Sequence, residues 1–162
     1  MTSSHPWTWS GTLKRSGRVA ADVLVLDTHV WIWLLEGSES DLSDATVDLI
    51  EAAGGRSELA VSAISVWEVA MLETKGRLTL SRPLDEWVSR ALAAPGIRLA
   101  ELTPAVALES SRLPGEPHGD PADRILLATT RILGATLVTC DDRILAYGAD
   151  GHVRVRVARS RA

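Results

Sequence analysis

Short apolar runs alternate with helical patterns along almost the whole chain, and this alternation restricts the fold more than any other feature. Val23–Leu26, Glu58–Ser62, Ile97–Leu102, Ala135–Thr139 and His152–Val157 read as strands. Between them, helical spacing covers Thr28–Leu35, Ser43–Ala53, Ser65–Lys75, Pro83–Ala94, Pro104–Leu113, Pro121–Leu133 and Asp142–Tyr147. Gly54-Gly55, Gly76, Pro95-Gly96 and Gly134 supply the stops. Apolar strands that each lead into a helix belong to a parallel sheet covered on both faces. The last run, with Arg154 and Arg156 alternating, suits a sheet edge.

The 162 residues, 46% of them hydrophobic, suffice for one domain with a real core and argue against two. That domain spans residues 22–158. Residues 1–21 carry Trp7 and Trp9 but no periodicity, and read as a poorly ordered leader or a misassigned start; residues 159–162 form a basic tail. No apolar run approaches the roughly 20 residues of a membrane helix, and no signal-peptide core precedes the domain, so a soluble, cytoplasmic protein is expected. Cys140 is the one cysteine. It excludes an internal disulfide or a Cys-rich zinc site, so any metal must be held by oxygen.

Net charge is −4, unevenly spread. The span from Asp22 to Asp150 holds all 21 acids but only 10 of the 17 basic residues, a net −11, while the two ends carry +7. An acidic body suits a divalent-cation site; the basic ends read first as solvated tails, with phosphate contact as the second reading.

In an open parallel sheet the ligand site lies beyond the carboxyl ends of the strands. Asp27 closes the first strand in Val-Leu-Asp-Thr-His, and Asp141 follows the fourth in Leu-Val-Thr-Cys-Asp-Asp. Glu68 falls in the first turn after the second strand, and Asp123 in the first turn of the long helix, within His-Gly-Asp-Pro-Ala-Asp-Arg. These four acids should meet at one rim. Each has an ordinary structural explanation as well. Ser65 and Glu68 have capping-box spacing, Asp120-Pro121 is a cap followed by proline at the first helical position, and Asp27, Asp141 or Asp142 could cap the helix that follows. Capping does not explain why a carboxylate should end an otherwise apolar central strand, where burial without a partner is costly. Clustered carboxylates repel unless a cation is shared among them, and oxygen ligands select hard ions, Mg²⁺ or Mn²⁺. Such an ion orients phosphate and acidifies water, the chemistry of phosphodiester hydrolysis.

Four segments in order, Leu-Asp-Thr-His-Val-Trp, Ser-x-x-Ser-x-Trp-Glu-Val-Ala from Ser62, His-x-Asp-Pro-x-Asp-Arg-x-Leu-x-Ala-Thr from His118, and Leu-Val-Thr-x-Asp with Tyr147 downstream, resemble VapC-type PIN-domain toxins. The resemblance runs from about Val23 to Val157. It implies a three-layer α/β/α PIN fold with a mostly parallel sheet of four or five strands. It also implies an endoribonuclease dependent on Mg²⁺ or Mn²⁺, the toxin of a type II toxin-antitoxin pair, forming a homodimer neutralised by a VapB-like antitoxin. The family's acids carry over to Asp27, Glu68, Asp123 and Asp141, with Asp120 as a fifth contributor and Asp142 as a weaker substitute for Asp141. Thr28 and Thr139 are candidates to support the ligand carboxylates, and His118 and Arg124 to touch substrate. Trp31, Trp33, Trp67 and Trp87 suit core or dimer contacts better than base stacking.

Two other Mg²⁺ folds fit less well. A phosphoacceptor receiver needs paired acids after the first strand and a lysine after the last, but Asp27 is followed by Thr28-His29, and Lys14 and Lys75 are the only lysines. A haloacid-dehalogenase-like phosphatase needs an aspartate where His29 stands. No P-loop or dinucleotide fingerprint is present. The remaining alternative is a catalytically silent PIN-like scaffold that binds RNA or protein.

Overall fold

A computed structural model describes residues 22–37 and 41–159. The proposed leader and the last three residues of the tail lie outside these described residues. Twelve elements follow in order: β1 (Leu24–Leu26), α1 (Thr28–Glu36), α2 (Asp44–Gly55), β2 (Leu59–Ser62), α3 (Ala63–Thr74), α4 (Leu84–Leu92), β3 (Ile97–Ala100), α5 (Pro104–Ser111), α6 (Pro121–Ile132), β4 (Thr136–Thr139), α7 (Asp142–Ala149) and β5 (Arg154–Val157). Each strand lies within its expected run, and every helix has its counterpart in the sequence pattern.

The five strands form one sheet in the order β3-β2-β1-β4-β5, and every pairing is parallel. The chain builds outward from β1 to β3, returns to the other side of β1, and builds outward again. The strand order therefore reverses between β1 and β4, which opens a crevice at their carboxyl ends. Even β5, which carries the alternating arginines, runs parallel at the edge.

Side chains of successive strand residues feed opposite layers. Leu24, Leu26, Leu59, Val61 and Val138 face a core shared with Trp31, Leu34, Ile50, Val69 and Trp87. Val25, Ala60 and Leu137 face the other, with Val106, Leu126, Leu127, Ile144 and Tyr147. The result is the three-layer α/β/α arrangement. Trp31 and Trp87 meet edge to face with centroids 5.0 Å apart, as core tryptophans. Trp67 does not join them. It is 54% exposed, which removes the core half of the core-or-dimer expectation at that position.

Two helix boundaries differ from the sequence reading in informative ways. Helix α2 does not stop at Gly54-Gly55 but passes through both, ending against Arg56 and a left-handed Ser57. The helix end packs closely on Gly96, which must lack a side chain there: a Cβ at Gly96 would lie 2.1 Å from the Gly54 carbonyl oxygen. Helix α3 starts at Ala63 rather than Ser65, with Ser62 as its cap accepting from the Ile64 amide at 3.3 Å. This second shift changes the reading of the site.

Candidate active site

Because α3 begins at Ala63, Ser65 is inside the helix and cannot cap it. The Ser65–Glu68 capping box is therefore absent, and Glu68 lies in the second turn instead of the first. Both side chains turn toward α1. Thr28 Oγ1 contacts Ser65 Oγ at 2.8 Å and Glu68 Oε2 at 2.5 Å. A threonine has one hydroxyl hydrogen. When Glu68 is ionised, Thr28 donates to it and Ser65 donates to Thr28; when Glu68 is protonated, the same chain reverses. Thr28 is 1% exposed and Ser65 fully buried, so neither has water as an alternative partner.

Asp27 follows β1 and is itself buried. Its Oδ1 accepts from the Thr28 amide at 2.6 Å and its Oδ2 from Thr139 Oγ1 at 2.5 Å. Burial raises its pKa above the ordinary value, opposed by the Thr139 bond, nearby His29 and the Thr28 amide, and reinforced by Asp141. Asp141 caps α7, with Oδ1 accepting from the Arg143 and Ile144 amides at 2.8 and 3.0 Å. Asp120 caps α6 through Oδ1 in the same way, accepting from Ala122 and Asp123. The capping explanation thus holds for Asp27, Asp120 and Asp141. It occupies one oxygen of each and leaves Oδ2 of Asp120 and Asp141 without a partner among the described residues.

Glu68 and Asp123 complete the group. Burial pushes Glu68 up to about 7, against the Thr28 bond, with further upward pressure from Asp27, Asp123 and Asp120. Burial also raises Asp123, offset in part by His118 and increased by Asp120, Asp141 and Asp27. The five acids are close enough to act on one another electrostatically, at the crevice where the strand order reverses. As the side chains stand, no three His, Cys, Asp or Glu among the described residues form a ready metal site. Asp142, at the exposed start of α7, is not among the groups perturbing them.

The remaining expected residues divide. His118 Nδ1 lies 2.8 Å from Asp123 Oδ2, so His118 belongs to the site. Arg124 does not reach an acid: its Nε donates to the Ser110 carbonyl at 3.0 Å, tying α6 to α5. Thr139 also accepts from the Asp141 amide at 3.0 Å, linking Asp141 to Asp27. Two residues escaped the sequence reading. The sequence offers Ser65 as a cap, one turn later than Ser62, which carries the same signal and is the cap in the structure. Arg143, which donates to His118 Nε2, sits two residues beyond Asp141 and has no sequence mark other than that position. A separate cavity of about 590 Å³, lined by Leu34, Ile50, Leu59, Trp87 and Ile97, lies toward the amino ends of the strands and contains none of these acids.

Comparison with known proteins assigns the class. The PIN domain family matches residues 24–149. Ribonuclease VapC22 of Mycobacterium tuberculosis is 38% identical over 124 residues, covering 76% of this chain and 91% of the relative. The chain belongs to the PIN-domain family, in its VapC-type branch. Solved structures agree on the fold. VapBC2 from Rickettsia felis, bound to a promoter DNA fragment, superposes with TM-score 0.60 at 13% identity over 84% of this chain and 98% of its own. DNA-bound VapBC from Salmonella typhimurium gives TM-score 0.59 at 15% identity with the same coverages.

Proposed function

We propose that this VapC-type PIN protein is a metal-dependent endoribonuclease that hydrolyses RNA phosphodiester bonds as the toxin of a type II toxin-antitoxin pair. The observation that carries this reading is the placement of Asp27, Glu68, Asp120, Asp123 and Asp141 at or near the helix starts beyond the carboxyl ends of the central strands, where burial and one another's charge push Asp27, Glu68 and Asp123 upward. A fold does not maintain such a cluster for stability. It becomes favourable when a cation offsets the repulsion. The donor set fits a hard divalent ion: it consists of carboxylates, with free Oδ2 atoms on Asp120 and Asp141. Asp27, Glu68, Asp123 and Asp141 would hold Mg²⁺ or Mn²⁺, with Asp120 at the margin. An ion bound there supplies charge neutralisation for the phosphate and acidifies a water.

The chain's own residues set the stage. Thr139 and the Thr28 amide fix both oxygens of Asp27, so it offers a rigid edge. Thr28 and Ser65 orient Glu68, whose raised pKa means that without an ion it carries a proton over part of the neutral range. His118 holds one oxygen of Asp123 and leaves the other available. The partners of this reading are RNA as substrate, a VapB-like antitoxin as inhibitor and a second copy of the chain as dimer mate, in the cytoplasm. No helix among the described residues is long and apolar enough to cross a membrane.

The test is cleavage of labelled total RNA by antitoxin-free protein with Mn²⁺, with EDTA, and as the Asp27→Asn variant. Cutting that requires both the ion and Asp27 supports the nuclease. Folded protein that cuts no RNA class would instead be a binding scaffold.

A further inference from the structure

Within an acidic body, an RNA phosphate approaching five carboxylates needs a cation at the same rim. Arg124 is turned onto the Ser110 carbonyl. Arg159 pairs with Asp41 at 3.5 Å and lies 4.5 Å from the centre of the Trp33 ring. His29, near Asp27, stacks toward Trp33 with centroids 6.0 Å apart. Arg143 differs from these. It is exposed, forms no ion pair among the described residues, and its side chain rests on His118 through Nη1.

A guanidinium can only donate hydrogen bonds. His118 Nε2 must therefore be the acceptor, which puts the ring proton on Nδ1, where it donates to Asp123 Oδ2 at 2.8 Å. Arg143, His118 and Asp123 thus stand in one hydrogen-bonded line. It holds a guanidinium one imidazole width from a site carboxylate without letting the two neutralise each other. The backbone contributes too: the Arg143 amide donates to Asp141 Oδ1, anchoring the first turn of α7 beside the other strand-end acid. Of the five N–H groups of Arg143, one is used by His118, and the others remain in a planar fork suited to phosphate oxygens.

We propose that Arg143 is the phosphate clamp of this site, binding an RNA backbone phosphate next to the acids, and that His118 is the residue that positions it. The inference rests on the nuclease reading for its substrate but is tested separately from it. Binding is measured first, by anisotropy of a fluorescein-labelled mixed-sequence single-stranded RNA on Asp27→Asn protein with Mg²⁺, across a KCl series. Adding Arg143→Gln should weaken binding about tenfold and make the log–log salt slope shallower by about 0.7, the loss of one single-strand phosphate contact. Arg143→Lys should recover part of the affinity and the full slope, because charge returns without the fork. His118→Gln should weaken binding less and leave the slope intact.

Unchanged affinity and slope in Arg143→Gln, with circular dichroism confirming the fold, would overturn the clamp. Cleavage by the otherwise wild-type protein is the second arm. There Arg143→Gln should raise KM, with a smaller effect on kcat, and a loss confined to kcat with normal KM would also overturn it. If the wild-type protein cuts nothing while the binding results hold, the nuclease reading fails and the clamp stands.

Discussion

Thr139 and Asp27 are joined across the centre of the sheet: Thr139 Oγ1 donates its proton to Asp27 Oδ2 at 2.5 Å and itself accepts from the Asp141 amide at 3.0 Å. One buried hydroxyl on β4 therefore aligns the acids that end two neighbouring strands. Thr139→Val retains the shape of the side chain and removes the donor. Leaving a buried carboxylate without its partner costs about 1–3 kcal/mol, and loss of a supporting bond to a ligand typically lowers metal affinity about 10- to 100-fold. Urea denaturation should show the first effect and Mn²⁺ titration calorimetry the second. Normal Mn²⁺ affinity in Thr139→Val would mean that the hydroxyl serves packing alone.

The raised acids make stability depend on pH in a defined direction when no divalent ion is present. Glu68 titrates near 4.5 in the unfolded chain and at about 7 in the fold. Below 4.5 both states are protonated and the group is neutral to stability. Between those values the folded protein retains a proton that the unfolded chain has released, so stability falls as pH rises, and above 7 the loss is complete. Asp27 and Asp123, raised in the same sense, add to the decline. Thermal melts in EDTA should drop steadily from pH 5 to pH 7.5. Glu68→Gln should flatten the profile, and Mn²⁺ should restore the melting temperature most at the upper end. A profile that rises over this range would contradict the burial that Glu68 shows.

The sheet was legible because each strand is short, apolar and followed at once by a helix signal, a pattern with few other solutions. The acids were legible for a related reason: Asp27 and Asp141 stand where an apolar strand stops, a place the topology turns into a crevice. Side-chain pairing was much less visible. Arg124 has the sequence position of a site residue, yet a rotation of one helical step sends it to Ser110. Arg143 has an unremarkable position and reaches the site only because the loop before α6 brings His118 over α7. The start of α3 was misread because Ser62 and Ser65 both satisfy the local capping rule, and tertiary contact with Thr28 decides between them.

That choice between serines gives a paired prediction. Ser62 caps α3, so Ser62→Ala should lower stability by about 1 kcal/mol while leaving Mn²⁺ affinity unchanged. Ser65 sits in the hydrogen-bonded chain to Glu68, so Ser65→Ala should lower Mn²⁺ affinity about tenfold, as expected for removal of an outer support. Chemical denaturation and calorimetry on the two variants separate the roles. If both changed only stability, Ser65 would be a packing residue and the Thr28–Glu68 bond would hold without it.

The approach of Gly96 to Gly54 fixes how α2 and β3 meet, far from the acids, and it supplies a control for the whole scheme. Gly96 has φ of +79°, and a Cβ there would lie 2.1 Å from the Gly54 oxygen and 2.6 Å from its Cα. Those are backbone atoms, which cannot swing aside as a side-chain end would. Gly96→Ala should therefore cost more than about 2 kcal/mol, combining the left-handed penalty with a displaced helix end. Gly134 also has positive φ, +58°, but a Cβ there meets nothing within 4 Å. Gly134→Ala should cost only the conformational part, about 1–2 kcal/mol. The difference between the two melts isolates the contact. Because β3 is the outermost strand beyond β2, Gly96→Ala should leave Mn²⁺ affinity intact in the fraction that folds. Equal losses in the two variants would show that α2 can retreat from β3 at little cost.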